Sequence, residues 1–457
     1  MTRRRRLLLF SMLAMPLVAT MQGRGTAVLP PPCPLIVPDA DIVPAEVCEP
    51  DPHVTNDVRF FDAFSWQSFL ALVRPAKARG EPDLTPRVGT IDRPLVFETL
   101  KASWEVLGDR DAANQPPPPI EWSQKPTITP CGDSSSFEAT DLVISSFGEL
   151  EDLAQAGRGS KDLLGPIVTQ NGQYVRYSMG YNRVLFDAIV KKRLDLAANL
   201  KNVVLPAGSI AIKAAWMVMT GKEAHPERYY RRHARITVIG GGVGACERKE
   251  VALIALHIIQ KTPLRPQWVW STFEHVDNLR TEGRPGPFAL HNGDTTMGMP
   301  IRSPHDLGHL STTPAPFNIT REVELHTRTV EMNGEYEKAL TTRKAVWSHY
   351  RLVMTQWPRN KAQPYIDASP PNTIPGTPKT HYTSYANPAI ETFFQTPITN
   401  GCMSCHDVAR PEAGFLWSLR MHAWTGPGNT DLSNTREKTL RQLDELLVRG
   451  QRGRARE

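Results

Sequence analysis

Hydrophobic positions change their period part-way along the chain. In the first part they fall at helical spacing. Phe61, Phe64, Phe69 and Leu72 line one side of a helix that Arg74-Pro75 stops, and Glu98 to Leu107 makes a second, shorter helix. Pro116 to Pro119 form a rigid polyproline connector. Tyr181 to Leu200, rich in good helix formers such as Leu185, Ala188, Lys191, Leu194 and Ala197, reads as the longest helix.

Further on, the period shortens to two. Ile210 to Met219, Ala234 to Ile239, Val251 to Ile259, Gln267 to Val276 and His349 to Gln356 are short runs rich in Val, Ile and aromatics, bounded by Gly, Pro or Asn. They predict an antiparallel sheet, as one layer of a sandwich with the helices packed on it. Val251 to Ile259 is apolar on both faces and is therefore expected to be a central strand. Gln267 to Val276 alternates, with Trp268, Trp270, Thr272 and Glu274 on one face and Ser271, Phe273, His275 and Asp277 on the other.

After Trp357 the pattern fades into seven prolines within 31 residues, Pro358 to Pro388, the composition of a semi-rigid linker. Beyond it, Ala389 to Phe394 reads as a helix. A last amphipathic helix starts at Asn434 and Glu437, carries Leu440, Leu443, Leu446 and Leu447 on one face, and ends in a basic tail, Arg449 to Arg454.

The most specific chemistry lies between those two helices, in Asn400-Gly401-Cys402-Met403-Ser404-Cys405-His406. Cys-x-x-Cys-His is the attachment pattern for a c-type haem, in which both thiols bond the porphyrin and the imidazole ligates iron. With 6 Cys and 13 His in 457 residues, chance produces the pattern about 0.002 times. Two other readings of the thiols are a redox-active pair and half of a zinc site. Zinc needs about four ligands, and no second Cys-x-x-Cys or His-x-x-His pair exists. A thioredoxin-like pair belongs in a βαβ setting, which the Pro-rich surroundings do not supply.

Haem attachment implies export, and the N-terminus agrees. Arg3 to Arg6, the apolar run Leu7 to Met21 and the small residues Gly25-Thr26-Ala27 make a cleavable secretory signal over residues 1–27, with a periplasmic destination. The signal carries five arginines, so the formal net charge of +6 falls to about +1 on cleavage. That argues against a nucleic-acid footprint. No later segment is apolar enough to span a membrane. Cys33, Cys48, Cys131 and Cys246 are an even set in an oxidising compartment and imply two disulfides. Cys33 with Cys48, leaving Cys131 with Cys246, is the expected pairing among three that are possible.

Helix, Cys402-Met403-Ser404-Cys405-His406, loop and terminal helix together resemble a single-haem class I cytochrome c module. The whole chain is similar to bacterial cytochrome c family proteins that join a large exported domain to a C-terminal haem module. The segment Trp268-Val269-Trp270-Ser271-Thr272-Phe273-Glu274-His275-Val276-Asp277-Asn278 adds to that likeness. The expected fold class is then α+β: a large domain with an antiparallel sheet or sandwich and packed helices, plus a small all-α cytochrome c-like haem module. The expected boundaries are a Pro-rich N-terminal segment 28–50, the large domain 51–357, the linker 358–387 and the module 388–457. The resemblance implies one covalent haem c, with Cys402 and Cys405 as thioether sites and His406 as iron ligand. It also implies a redox partner protein. Class I modules supply a downstream Met as sixth ligand; here the only Met after His406 is Met421, next to His422. These two, a large-domain residue and an open site are the alternatives.

Three other patterns compete for attention. Gly240, Gly242 and Ala245 follow a strand in the manner of a dinucleotide-binding turn, with Glu274 as a distant acidic partner. The residues that follow lack helical periodicity, so a Gly-rich hairpin is the better reading. His257, a lone imidazole in an apolar strand, together with Glu274, His275 and Asp277, forms either a proton-handling site or a buried network fixing the sheet. His305 and His309 are four apart, and Met297, Met299 and His326 show no pattern; none is assigned a role. The function expected is single-electron transfer. The alternative is a haem-dependent oxidoreductase whose large domain binds a substrate.

Overall fold

The apolar run that begins at Val251 becomes the spine of the fold, inside a strand longer than its hydrophobic core alone would give. The structure is a computed structural model that describes residues 33–50, 56–107, 121–124, 130–131, 137–144, 153, 166–241, 244–281, 283–300, 302–306, 309–358, 386–395, 401–407 and 409–425. The expected signal sequence, the polyproline run, most of the Pro-rich linker, the expected terminal helix and the basic tail lie outside them.

In chain order the elements begin with α1 (Val58–Leu72), a small hairpin of β1 (Ala76–Ala78) and β2 (Glu81–Pro82), then β3 (Lys101–Ala102) and α2 (Ser103–Leu107). They continue with β4 (Leu142–Ile144), β5 (Arg176–Tyr181), α3 (Arg183–Lys192), β6 (Ile210–Val218), β7 (Arg231–Thr237), β8 (Cys246–Thr262) and β9 (Arg265–His275). The last described elements are α4 (Thr327–Thr342), β10 (Tyr350–Gln356), α5 (Cys402–Asp407), α6 (Arg410–Ala413) and α7 (Trp417–His422).

Eight strands form one sheet in the order β10-β9-β8-β6-β5-β3, with β7 beside β8 and β4 parallel to β7. One edge of β8 pairs with β6. Its other edge is shared: β7 takes the N-terminal half, from Cys246 to Ala252, and β9 takes the C-terminal half, from Ala255 to Thr262. Register shifts at Ala215/Trp216 and Gln260/Thr262 add local twist, and the sheet curls into a half-barrel.

One face of the sheet meets α1 and α4 over an aromatic core. Trp66 stacks on Tyr336 at 4.4 Å, Phe69 stacks on Phe273 at 4.3 Å, and Trp66 meets Phe273 edge-on at 5.1 Å. Such pairs add about 0.5–1.5 kcal/mol each beyond their burial. A buried polar chain crosses the same interface: Ser65 bonds Ser271 and Thr355, and Thr355 and Thr329 donate to Asp62. The opposite face carries Tyr181, Ala211, Ile259 and Trp270, which pack with Met403, Phe415, Leu416 and Leu419. Residues 386–395 cover the rest of that face, through Ala389, Ile390, Phe393 and Phe394 against Tyr177, Ala215 and Ala255.

All five expected strands are present, Val251 to Ile259 is central, and the alternation along β9 holds by contact. Five expectations are corrected, one of them the helix over Ala389 to Phe394, which is a turn followed by a 3-10 turn at Thr392–Phe394. The protein is mainly β, built on one curled sheet rather than on a sandwich layer of an α+β domain. A small all-α haem module does not form among the described residues. Instead α5 sits against the sheet: Met403 N donates to Gln356 Oε1 at 3.3 Å, and a Cβ at Gly401 would overlap the Gln356 side chain. Trp424 also bridges to Leu196, with Ala197 N donating to Trp424 O at 2.8 Å.

The long helix expected from Tyr181 to Leu200 is α3 alone. Tyr181 closes β5, and Arg193 ends the helix in the left-handed region at φ 51°. Glu98 to Leu107 divides into a 3-10 turn, β3 and α2. The longest helix, α4, went unread because its buried stripe of Met332, Tyr336 and Leu340 is interleaved with the equally buried Thr329 and Asn333.

Both disulfides pair as expected, Cys33 with Cys48 and Cys131 with Cys246. Among the described residues no helix is long and apolar enough to cross a membrane.

Candidate functional site

A single cross-strand row on the covered face gathers most of the polar chemistry. Lys213 on β6 pairs with His257 on β8, which pairs with Thr272 on β9. Two residues back along β9, Trp270 lies on the same face, opposite Gln356 of β10. The Cys402–Asp407 helix comes down on this corner.

His406 projects from that helix onto Trp270, with ring centroids 4.5 Å apart. Its Nδ1 lies 2.7 Å from the carbonyl of Phe415. That carbonyl is aimed by backbone of a rare kind: Gly414 and Phe415 both have positive φ, at 57° and 75°. A left-handed non-glycine residue costs about 1–3 kcal/mol and persists where its surroundings fix it. Here Gly414 O also accepts from the Trp268 indole at 3.2 Å, so one tight turn serves both rings. Donation from Nδ1 to the carbonyl assigns the proton to Nδ1 and leaves the lone pair on Nε2. Burial pulls the imidazole pKa down to about 4, more than the Phe415 carbonyl and Glu391 raise it, so His406 is neutral at pH 7.

Cys402 is partly buried. It packs on the cluster of Val323, Val353 and Met354 and on the apolar core around Trp268 and Trp270. The Cys405 side chain lies outside the described residues. The two disulfides use the other four cysteines.

Beside the Cys-x-x-Cys-His motif sits a charged cluster that the sequence showed only in part. His257 Nε2 bonds Glu391 Oε1 at 2.5 Å. Burial would raise the Glu391 pKa, but His257, Lys213 and His406 outweigh it and hold the carboxyl below its usual range. Lys213 lies with its ammonium 5.2 Å from the Tyr177 ring centre, and burial lowers its pKa against the pull of Glu391 and Cys402. Glu391 is placed by Asn387, whose amide donates to Thr272 Oγ1 at 2.8 Å and Phe273 O at 3.0 Å, docking the segment onto β9. Tyr177 adds a longer bond to Ala389 O, at 3.4 Å.

The grouping of His257 with Glu274, His275 and Asp277 comes apart. Glu274 is buried between Arg351, at 2.7 Å, and Arg321; burial raises its pKa, and the two guanidinium groups more than reverse this. His275 lies on the other face, stacked on Tyr229 at 3.8 Å. Its Nε2 reaches Arg228 O and its Nδ1 accepts from Asp277 N, while burial holds it neutral. Asp277 pairs with Arg228 at 3.0 Å. These residues fix the sheet, and the acidic partner of His257 is Glu391, 134 residues further along. A lone Lys213 in the otherwise apolar β6 was the overlooked signal, equivalent to His257 in β8.

The remaining patterns resolve simply. Gly240 and Gly244, at φ 72° and 78°, turn the chain between antiparallel β7 and β8, so the glycine run is a hairpin and not a strand-to-helix dinucleotide turn. His305 bonds Ala315 O, and His309 is exposed beside Asp306. His326 caps α4. Met297 is exposed, and Met299 meets the Gln395 amide. Among the described residues no group of three His, Cys, Asp or Glu is arranged to hold a metal ion.

No protein-family model matches the chain, and no curated protein or solved structure matches it. Function is therefore read from the site.

Proposed function

We propose that the protein is a periplasmic c-type cytochrome that carries one covalently attached haem and exchanges single electrons with a redox partner protein. Cys402 and Cys405 would hold the group through thioether bonds, and His406 would be its iron ligand. The observation that carries the reading is the state of His406: neutral, oriented by the Phe415 carbonyl, with Nε2 left as the donor nitrogen. Metal-ligating histidines are held this way, one ring N–H given to a carbonyl or carboxylate and the other nitrogen offered to the metal.

The residues around the site fit the group. Trp268, Trp270, Met403, Phe415 and Leu416 are buried and supply apolar walls for a porphyrin. Two disulfides accord with an oxidising compartment outside the cytoplasm. When bound, the haem supplies one-electron chemistry. The chain supplies the attachment thiols, an axial nitrogen and a dry surround, the levers by which a protein sets a haem potential.

The test is covalent haem in protein exported to the periplasm. The expected result is one equivalent per chain, retained through denaturing electrophoresis and acid–acetone extraction. A haem-free product is expected when Cys402 and Cys405 are both changed to Ala. Wild-type protein that loses its colour in either treatment would refute the reading.

A further inference from the structure

His257 has the same electronic arrangement as His406, in mirror form. Its Nε2 is committed to Glu391, as in the carboxylate–imidazole pairs that orient metal ligands. Its Nδ1 is buried and has no hydrogen-bond partner among the described residues. A buried nitrogen left unsatisfied costs about 1–3 kcal/mol, so its place beside the motif calls for an explanation.

Position agrees with chemistry. Thr272 is the Cα partner of His257, and Trp270 stands two residues away on the same face. Diagonal neighbours of this kind are about 7–8 Å apart, and His406 rests on the Trp270 ring. The two imidazoles thus approach one corner of the sheet from different sides, one from β8 and one from the Cys402–Asp407 helix. By contrast Met421 and His422 are only partly buried, and Met421 does not join the apolar core that Leu416 and Leu419 complete.

We propose that His257, oriented by Glu391, is the second axial ligand of the haem that Cys402, Cys405 and His406 would carry, donating the Nδ1 lone pair to iron. The inference rests on the haem reading above. It assigns the sixth position to the sheet, far from the attachment motif in sequence. Glu391 is then a positioning residue, acting through the Nε2–H of His257.

The experiment uses the full-length holoprotein, oxidised, with spin state and near-infrared charge-transfer bands as readouts. Wild type is expected to be low-spin, with the band position of two-imidazole coordination. His257→Ala is expected to be high-spin, and added imidazole to restore the low-spin spectrum. His257→Gln, which keeps an amide for Glu391, should behave the same way and guards against misfolding. Glu391→Gln should stay low-spin with a raised midpoint potential, since the imidazole loses its anionic partner and donates less to iron. A wild-type band typical of thioether or amine coordination, a high-spin wild type, or a His257→Ala protein that stays low-spin would each overturn the inference while leaving covalent haem intact. Wild type without covalent haem would instead sink the functional reading and this inference with it.

Discussion

The two faces of the sheet solve different problems with the same strands. On the α1 and α4 side the strands offer Ile212, Ala214, Leu256, Ile258, Phe273 and Leu352, and the interface is closed by stacked aromatic rings. A buried carboxyl there, Asp62, is held by threonine hydroxyls. The other side places Lys213, His257, Thr272 and Glu274 on those same strands, and it is covered by chain from the Pro-rich C-terminal third. Burying charge is expensive unless every group finds a partner. The second face therefore gives up packing energy to place particular nitrogens and oxygens. The first face holds the molecule together, and the second carries the polar cluster around His257 and His406.

Breaking the first face should cost most. Phe69→Ala removes a ring that stacks on Phe273 and meets Trp347 edge-on. A loss of about 3–5 kcal/mol is expected, read as a fall in the denaturant midpoint. If the protein carries the proposed haem, its spectrum in the folded fraction should not change. Glu274→Gln tests a structural charge cluster on the second face. It leaves Arg321 and Arg351 buried without their carboxylate, and breaking such a network costs roughly 3–5 kcal/mol. If Glu274→Gln is near neutral in stability but alters the spectrum of the proposed haem, then Glu274 belongs to the site and not to the framework of the sheet.

The pH dependence of stability separates the faces again. Burial raises the Asp62 pKa from its ordinary value near 3.8 to about 7, against the pull of its two threonines. The native state therefore holds a proton that the unfolded chain has released, and stability falls as pH rises between those values. The full difference is on the order of 4 kcal/mol. Asp62→Asn should flatten that decline, measured as the denaturant midpoint at a series of pH values. An unchanged slope would place the titrating group elsewhere.

Much of the first face was legible because its logic is local. Alternation along β9 and continuous apolar character in β8 follow from the period of a strand, and β7 to β10 emerged with errors of a few residues at their ends. The helix α4 was not legible, because its buried Asn333 and Thr329 read as polar until their partners, Trp66, Leu352 O and Asp62, are in place. On the second face the Cys-x-x-Cys-His pattern was plain, since its spacing is short. The pairing of His257 with Glu391 spans 134 residues and a Pro-rich stretch. That stretch has the composition of a linker, and from composition alone the chain beyond it reads as a separate body. What reverses this is Asn387, whose amide docks the segment onto β9. No periodicity announces such a contact.

The smallest effect on stability should come from Lys213, and it discriminates most finely between the faces. Burial lowers its pKa, partly offset by Glu391 and Cys402. The unfolded chain therefore binds this proton more readily than the native protein, and the native state gains stability as pH rises from the depressed pKa toward the ordinary lysine value. Replacing the ammonium by a side chain of similar length and no charge removes that dependence. Lys213→Met is expected to change stability at neutral pH by less than about 1 kcal/mol and to lose the alkaline rise, while Glu391 keeps its bond to His257. A large destabilisation at neutral pH would mean that the lysine is part of the packing. The second face would then be a core in its own right, and not a surface arranged around His406.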